Sequence, residues 1–210
     1  MKSKRVAYTP VTGTTSNICA SQSPGAGAAT LTIDGALAVG GVIPQQTLGY
    51  IVGITVAATD LSGRTFTITG TNADNAAQTE DVAGPSSNTV YSTKFYRSIS
   101  SITVTAGTDA AVTVGTSNLT LCAVTPTFPV DINRNYTVVA CDIGGTINFT
   151  PQKCYERPTA GETPNWITLQ AAGAVDVQTT VTGPVGAVRV QINTYTNAAT
   201  LAFSILQSSK

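Results

Sequence analysis

Residues 51–116 read IVGITVAATDLSGRTFTITGTNADNAAQTEDVAGPSSNTVYSTKFYRSISSITVTAGTDAAVTVGT, and this stretch decides the fold class. Within it Arg64-Thr65-Phe66-Thr67-Ile68-Thr69-Gly70 alternates polar and apolar residues, the pattern of a strand with one buried face. Val, Ile, Thr and aromatic residues build the runs, while Gly, Asn and Asp punctuate them. No segment of the chain carries a convincing helical period, so the reading is all-β.

The same grammar runs outward in both directions. Tyr50–Ala57, Phe66–Thr69, Thr79–Val82 and Val90–Tyr96 read as strands, and alternation along the last puts Tyr91 and Phe95 together on a core-facing side. Ile102–Val104 and Val112–Val114 flank a turn at Gly107-Thr108-Asp109 and read as a hairpin. Upstream, Leu31–Ile33 and Ala36–Val39 read as a short hairpin turning at Asp34-Gly35. Downstream, Leu119–Val124, Tyr136–Ala140, Thr146–Thr150, Trp166–Leu169, Val175–Val181, Ala187–Ile192 and Leu201–Leu206 follow. Val82-Ala83-Gly84-Pro85 is echoed by Val181-Thr182-Gly183-Pro184, an offset near the size of one small β-sandwich. The expected organisation is an extended N-terminal arm over 1–30, a β-sandwich (Ig-like or jelly-roll-like) over 31–117 and a second over 118–210. A single larger sandwich is the alternative.

Only 10% of residues are charged, well below the usual quarter, and Thr, Ser, Asn, Gln and Ala take the place of Lys and Glu. Charge depletion suits a surface that packs against neighbours, so a homo-oligomer is expected. The net charge is zero, which gives no electrostatic footprint for nucleic acid. Lys2, Lys4 and Arg5 supply three of the eleven basic residues and are the candidate assembly contacts. The competing readings of that tip are a solvated terminus and a strand added to its own domain. The polar run that follows MKSKR does not suit a signal peptide, and no apolar run approaches a membrane helix, so no membrane partner is expected.

The chain has no histidine, which removes Ser-His, Cys-His and mixed Cys/His zinc chemistry. Cys19, Cys122, Cys141 and Cys154 form no close pairs, and buried thiols are expected, with a bridge within 122–154 as the alternative. Glu80 and Asp81 are strand neighbours pointing to opposite faces, and Glu156 and Glu162 read as solvated loop charges. Asn72-Ala73-Asp74-Asn75 reads as an Asx-stabilised turn rather than a calcium loop. No phosphate-binding glycine motif occurs. The expectation is therefore no catalytic residue, no metal and no cofactor.

Three segments carry a resemblance: Gly63–Thr71 (GRTFTITGT), Thr79–Pro85 (TEDVAGP) and Thr89–Ile99 (TVYSTKFYRSI). Together with Gly183–Val190 (GPVGAVRV) and the closing Leu206-Gln207, they resemble structural proteins of tailed-bacteriophage virions, among them head decoration, head-fibre and neck or tail accessory proteins. The resemblance implies a non-enzymatic protein located in the virion and assembled in the host cytoplasm. Its leading role would be capsid decoration or cementing, through contacts with itself and with the major capsid protein. A neck or tail adaptor, a host-glycan-binding module and a glycan-cleaving enzyme are the alternatives. The resemblance transfers no functional residue.

Overall fold

The computed structural model describes residues 2–25, 27–107, 110–117, 121–133, 136–158 and 164–207. The protein is all-β, with eighteen strands and no helix among the described residues. It divides into two compact units, and one is inserted into the other: residues 13–117 form the inserted unit, and residues 1–12 with 118–210 form the discontinuous unit.

The chain opens with β1 (Lys2–Tyr8), which belongs to the discontinuous unit. It then builds the inserted unit from β2 (Thr14–Gln22), β3 (Ala29–Thr30), β4 (Gly49–Tyr50), β5 (Val52–Val56), β6 (Thr65–Thr71), β7 (Ala77–Ala83), β8 (Thr89–Tyr91), β9 (Ser98–Val104) and β10 (Val112–Thr116). Two antiparallel sheets result, in the orders β2-β10-β5-β8 and β3-β9-β6-β7. Alternation explains their packing. On β6 Phe66 and Ile68 are buried while the threonines between them are half-exposed, and Ile102 and Val104 of β9 join them from the neighbouring strand. The facing sheet contributes Ile18, Cys19, Val52, Ile54, Val112 and Val114 to the same hydrophobic cluster, which makes the unit a sandwich.

The discontinuous unit continues with β11 (Ala123–Val124), β12 (Phe128–Pro129), β13 (Tyr136–Gly144), β14 (Ile147–Cys154), β15 (Ile167–Thr168), β16 (Val177–Thr182), β17 (Ala187–Tyr195) and β18 (Thr200–Gln207). Its sheets run β1-β18-β13-β16 and β15-β14-β17-β11, with β12 also on β17. Val139, Cys141, Leu201 and Phe203 of the first sheet and Phe149, Val188, Val190 and Ile192 of the second are buried. Phe128 and Phe203 meet edge to face across the two sheets, centroids 5.0 Å apart.

The two units repeat one topology. Strands β2, β3, β5, β6, β7, β8, β9 and β10 correspond in chain order and in sheet position to β1, β11, β13, β14, β15, β16, β17 and β18. The Gly-Pro echo does not mark equivalent positions in this repeat: Gly84-Pro85 lies between β7 and β8, before the strand that matches β16, whereas Gly183-Pro184 lies after β16, between β16 and β17, although the chain changes sheet at both.

Several sequence expectations are corrected. Residues 1–30 are not an extended arm: β1 pairs with β18 over its whole length, and β2 buries Asn17, Ile18 and Cys19 beside β10. Their Ser and Thr content hid this, because threonine is itself a good strand residue. Ile102–Val104 and Val112–Val114 are not a hairpin, since β9 and β10 lie in different sheets; Thr108 and Asp109 of the expected turn lie outside the described residues. Asp34-Gly35 does not turn a hairpin either. Asp34 accepts from the Ala20 amide at 2.8 Å, Gly35 donates to the Ile18 carbonyl at 2.9 Å, and a Cβ on Gly35 would lie 2.3 Å from the Asn17 carbonyl carbon. The tight turn is instead Gly40-Gly41, both at positive φ, closed by paired Val39 and Val42 amide–carbonyl bonds.

Candidate interaction surfaces

The basic N-terminal tip is built into the discontinuous unit. The Lys2 backbone pairs with Gln207, and its side chain lies outside the described atoms. The Lys4 ammonium lies 4.7 Å from the centroid of the Phe128 ring, on the opposite sheet. Arg5 points to the outer face and reaches past β18 to Asp142 of β13, Nη2 to Oδ2 3.3 Å, with side chains 67% and 52% exposed. A pair that open contributes between zero and about 1 kcal/mol. Positive charges on an edge strand also discourage the unpaired edge from adding foreign strands, which gives the basic tip a structural reason.

Around Arg5 the outer face of this sheet carries small and uncharged side chains. Register places Ala7, Ala202, Ser204 and Ala140 side by side, with Ser3, Leu206 and Val138 continuing the surface.

A second surface was not singled out from the sequence. One face of β14 and β17 carries a chain of side-chain hydrogen bonds that runs in one direction, with Gln152 and Thr150 buried and Asn148, Arg189, Gln191 and Asn193 half-buried. Arg189 Nε donates to Gln152 Oε1 at 2.8 Å, Gln152 Nε2 to Gln191 Oε1 at 3.3 Å, Gln191 Nε2 to Asn193 Oδ1 at 3.1 Å, and Asn193 Nδ2 to Asn148 Oδ1 at 2.7 Å. Asn193 Nδ2 also donates to Thr150 Oγ1 at 3.0 Å. The direction has a cause: guanidinium has no acceptor, so Gln152 must offer its oxygen, and each amide is then oriented in turn. Trp166 lies over the Arg189 guanidinium at 4.2 Å and closes that end of the row. The signal was present as a polar stripe, Arg189-x-Gln191-x-Asn193 and Asn148-x-Thr150-x-Gln152, cut into otherwise apolar strands.

The remaining candidates resolve into structural contacts. Glu80 accepts from the Thr93 amide and hydroxyl at 2.7 Å each and from the Lys94 amide at 3.1 Å, whereas Asp81 accepts from the Thr67 hydroxyl at 2.6 Å. Glu156 is exposed, and Glu162 lies outside the described residues. Asn72 Oδ1 accepts from the amides of Asp74 and Ala76, both at 2.9 Å, an Asx turn. Among the described residues no cluster of Cys, Asp or Glu is arranged to hold a metal ion.

The aromatic assignment reverses. Tyr91 is 48% exposed, Phe95 is half-buried, and Tyr96 is buried, donating its hydroxyl to the Ile68 carbonyl at 3.2 Å. The strand ends at Tyr91 because Ser92 turns the chain: its hydroxyl accepts from the Val52 amide and donates to the Lys94 carbonyl, both at 2.9 Å. Alternation therefore does not carry through to Phe95 and Tyr96. Exposed Tyr91 covers Gly53, whose Cβ would lie 2.9 Å from the ring. None of the four cysteines is in a disulfide, and all four are buried. Burial, with Asp34 and Asp142 adding respectively, pushes the thiols of Cys19 and Cys141 up to about 12.

No protein-family model matches this chain, and no curated protein matches it.

Proposed function

We propose that this protein is a non-enzymatic structural component of a tailed-bacteriophage virion, acting as a capsid decoration or cement protein that stabilises the head through contacts with copies of itself and with the major capsid protein. The observation that carries the reading is the outer face of the β1-β18-β13-β16 sheet, where alanine and serine take the positions that a solvated sheet gives to Lys and Glu. Such a face can approach another surface closely with little charge to desolvate. The phage-protein resemblance and the charge content of 10% point the same way. Quantitative mass spectrometry of purified particles tests it. Copies on the order of hundreds per particle support decoration, about a dozen or fewer move the protein to the neck or tail, and absence from the particle ends the reading.

A second reading, a host-glycan-binding module, is favoured by the amide row and Trp166. Neutral planar amides offer paired donors and acceptors to hydroxyls, and an indole stacks on the apolar face of a sugar. Trp166 is the only tryptophan, so its fluorescence reports this surface directly. Titration with maltohexaose and dextran, backed by a glycan array, should shift the emission, and a Gln191→Ala variant should weaken the response. An unchanged spectrum and an empty array would dispose of this second reading.

A further inference from the structure

The two units share one topology but obtain their first strand in different ways. In the inserted unit β2 leads within a few residues to β3 and buries Asn17, Ile18 and Cys19. In the discontinuous unit the equivalent strand, β1, is separated from β11 by residues 9–122, which include the whole inserted unit. The segment 118–210 alone is thus a copy of the fold that lacks its first strand, and β1 fills that place from a distance. We propose that β1 is an exchangeable strand: in the assembled protein the β1 of one copy lies against the β18 of a second copy.

Three features favour this. First, β1 is an edge strand, in register from Lys2↔Gln207 to Tyr8↔Leu201, and among its described side chains only Tyr8 is buried and Val6 half-buried. Releasing it uncovers little apolar surface, and water replaces the ladder bonds at a small net cost each. Second, an exchanged strand makes the same contacts as a resident one: Lys4 over Phe128, Arg5 with Asp142, Tyr8 in the core. The balance is then set by concentration and by the hinge, as in any domain swap. Third, the link to β2 is residues 9–13, in which Pro10 limits how the chain folds back. Register would survive exchange, because a slip of one residue turns Tyr8 out and Arg5 in.

This inference rests on the self-association part of the proposed function, and the test separates the two. Ser3 and Leu206 face each other across β1 and β18. In the full-length Ser3→Cys/Leu206→Cys variant, refolded over a range of concentrations, light scattering reads association and mild oxidation followed by non-reducing electrophoresis reads which chain donates the strand. The native thiols are buried and do not compete. Exchange predicts that the ratio of intermolecular to intramolecular disulfide rises about tenfold for each tenfold rise in free monomer. Oligomers whose disulfides all stay within one chain overturn exchange and leave self-association standing. A monomer at every concentration overturns both. Arg5→Cys/Ser204→Cys, at the adjacent register position, repeats the test should the first pair fold poorly.

Discussion

Replacing Asn17 by Ala should open the inserted unit at one defined place. Between Val114 and Thr116 the register of β10 against β2 shifts, so the peptide ladder is interrupted there. The Asn17 side chain substitutes for a peptide group: Oδ1 accepts from the Thr116 amide at 2.8 Å, and Nδ2 donates to Thr116 Oγ1 at 2.7 Å. Both residues are only 5% exposed, so water cannot replace the amide cheaply. Leaving the Thr116 N–H buried without its partner costs about 1–3 kcal/mol, and the second bond adds about 1 kcal/mol, for a total near 2–4 kcal/mol. Hydrogen exchange at the Thr116 amide should therefore accelerate about 30- to 900-fold under conditions where the wild type is protected. Thr116→Val is the control, since it keeps the amide bond to Oδ1 and removes only the hydroxyl. It should cost less than Asn17→Ala. If the two variants cost the same, or Asn17→Ala costs less than about 0.5 kcal/mol, the peptide-surrogate reasoning is wrong.

Gly115→Ala would place a Cβ 1.9 Å from the Thr14 carbonyl oxygen and should lower stability by more than about 3 kcal/mol, whereas Gly63→Ala, with open space around it, should leave the melting temperature within a few degrees. Thiol reagents at pH 8 should label none of the four cysteines in the native protein and all four in urea. Because the folded thiols of Cys19 and Cys141 titrate near 12 and unfolded ones near 9, the unfolded chain loses protons first; their contribution to stability is intact below pH 9 and declines above it, by up to about 1.4 kcal/mol per pH unit per thiol, which urea titrations at pH 8 to 11 can measure. Deleting residues 2–28 removes β1 and β2 and should unfold the inserted unit, which loses Ile18 and Cys19 from its core, so that the β-type circular dichroism falls by about half; a truncated protein that keeps its full spectrum would contradict the placement of β2.

How far the sequence could be read follows from what each signal encodes. Alternation at Thr65–Thr71 reports which side chains are buried, so the all-β class and the individual runs were legible. It does not report which sheet a strand joins. A Gly-Asp turn after Val104 looks the same whether the chain folds back beside β9 or crosses to the facing sheet, and here it crosses. The Gly-Pro echo pointed to two units although its two members fall at non-equivalent crossings, β7 to β8 and β16 to β17, because Gly-Pro breaks any strand before a change of sheet. The first strand was not legible, because among its described side chains β1 shows only one fully buried and its partner lies at the far end of the chain. Tyr96 was misassigned for a local reason: a serine hydroxyl that caps two backbone groups ends a strand without a glycine or proline to mark it.

Repetition of one fold also separates what the architecture requires from what is added to it. Strands β6 and β9 occupy the places of β14 and β17, and in both units their inner faces are filled by large apolar residues. Their outer faces differ. The inserted unit presents Thr67, Thr69, Ser101 and Thr103 there, residues that suit any solvated strand. The discontinuous unit places half-buried Asn148, Arg189, Gln191 and Asn193 and buried Gln152 there, ordered into one polarised chain under Trp166. Since threonines satisfy the same sheet in the sister unit, folding does not demand the amides. Long side chains such as Gln and Arg lose more rotamer freedom when ordered than Thr does, so the row carries an entropic cost that the fold alone has no use for. Replacing Arg189 by Met tests whether the row acts as a unit: the donor that polarises it is lost while the length of the side chain is kept, and both Trp166 emission and any ligand response should change together, while the circular dichroism of the sheets should not.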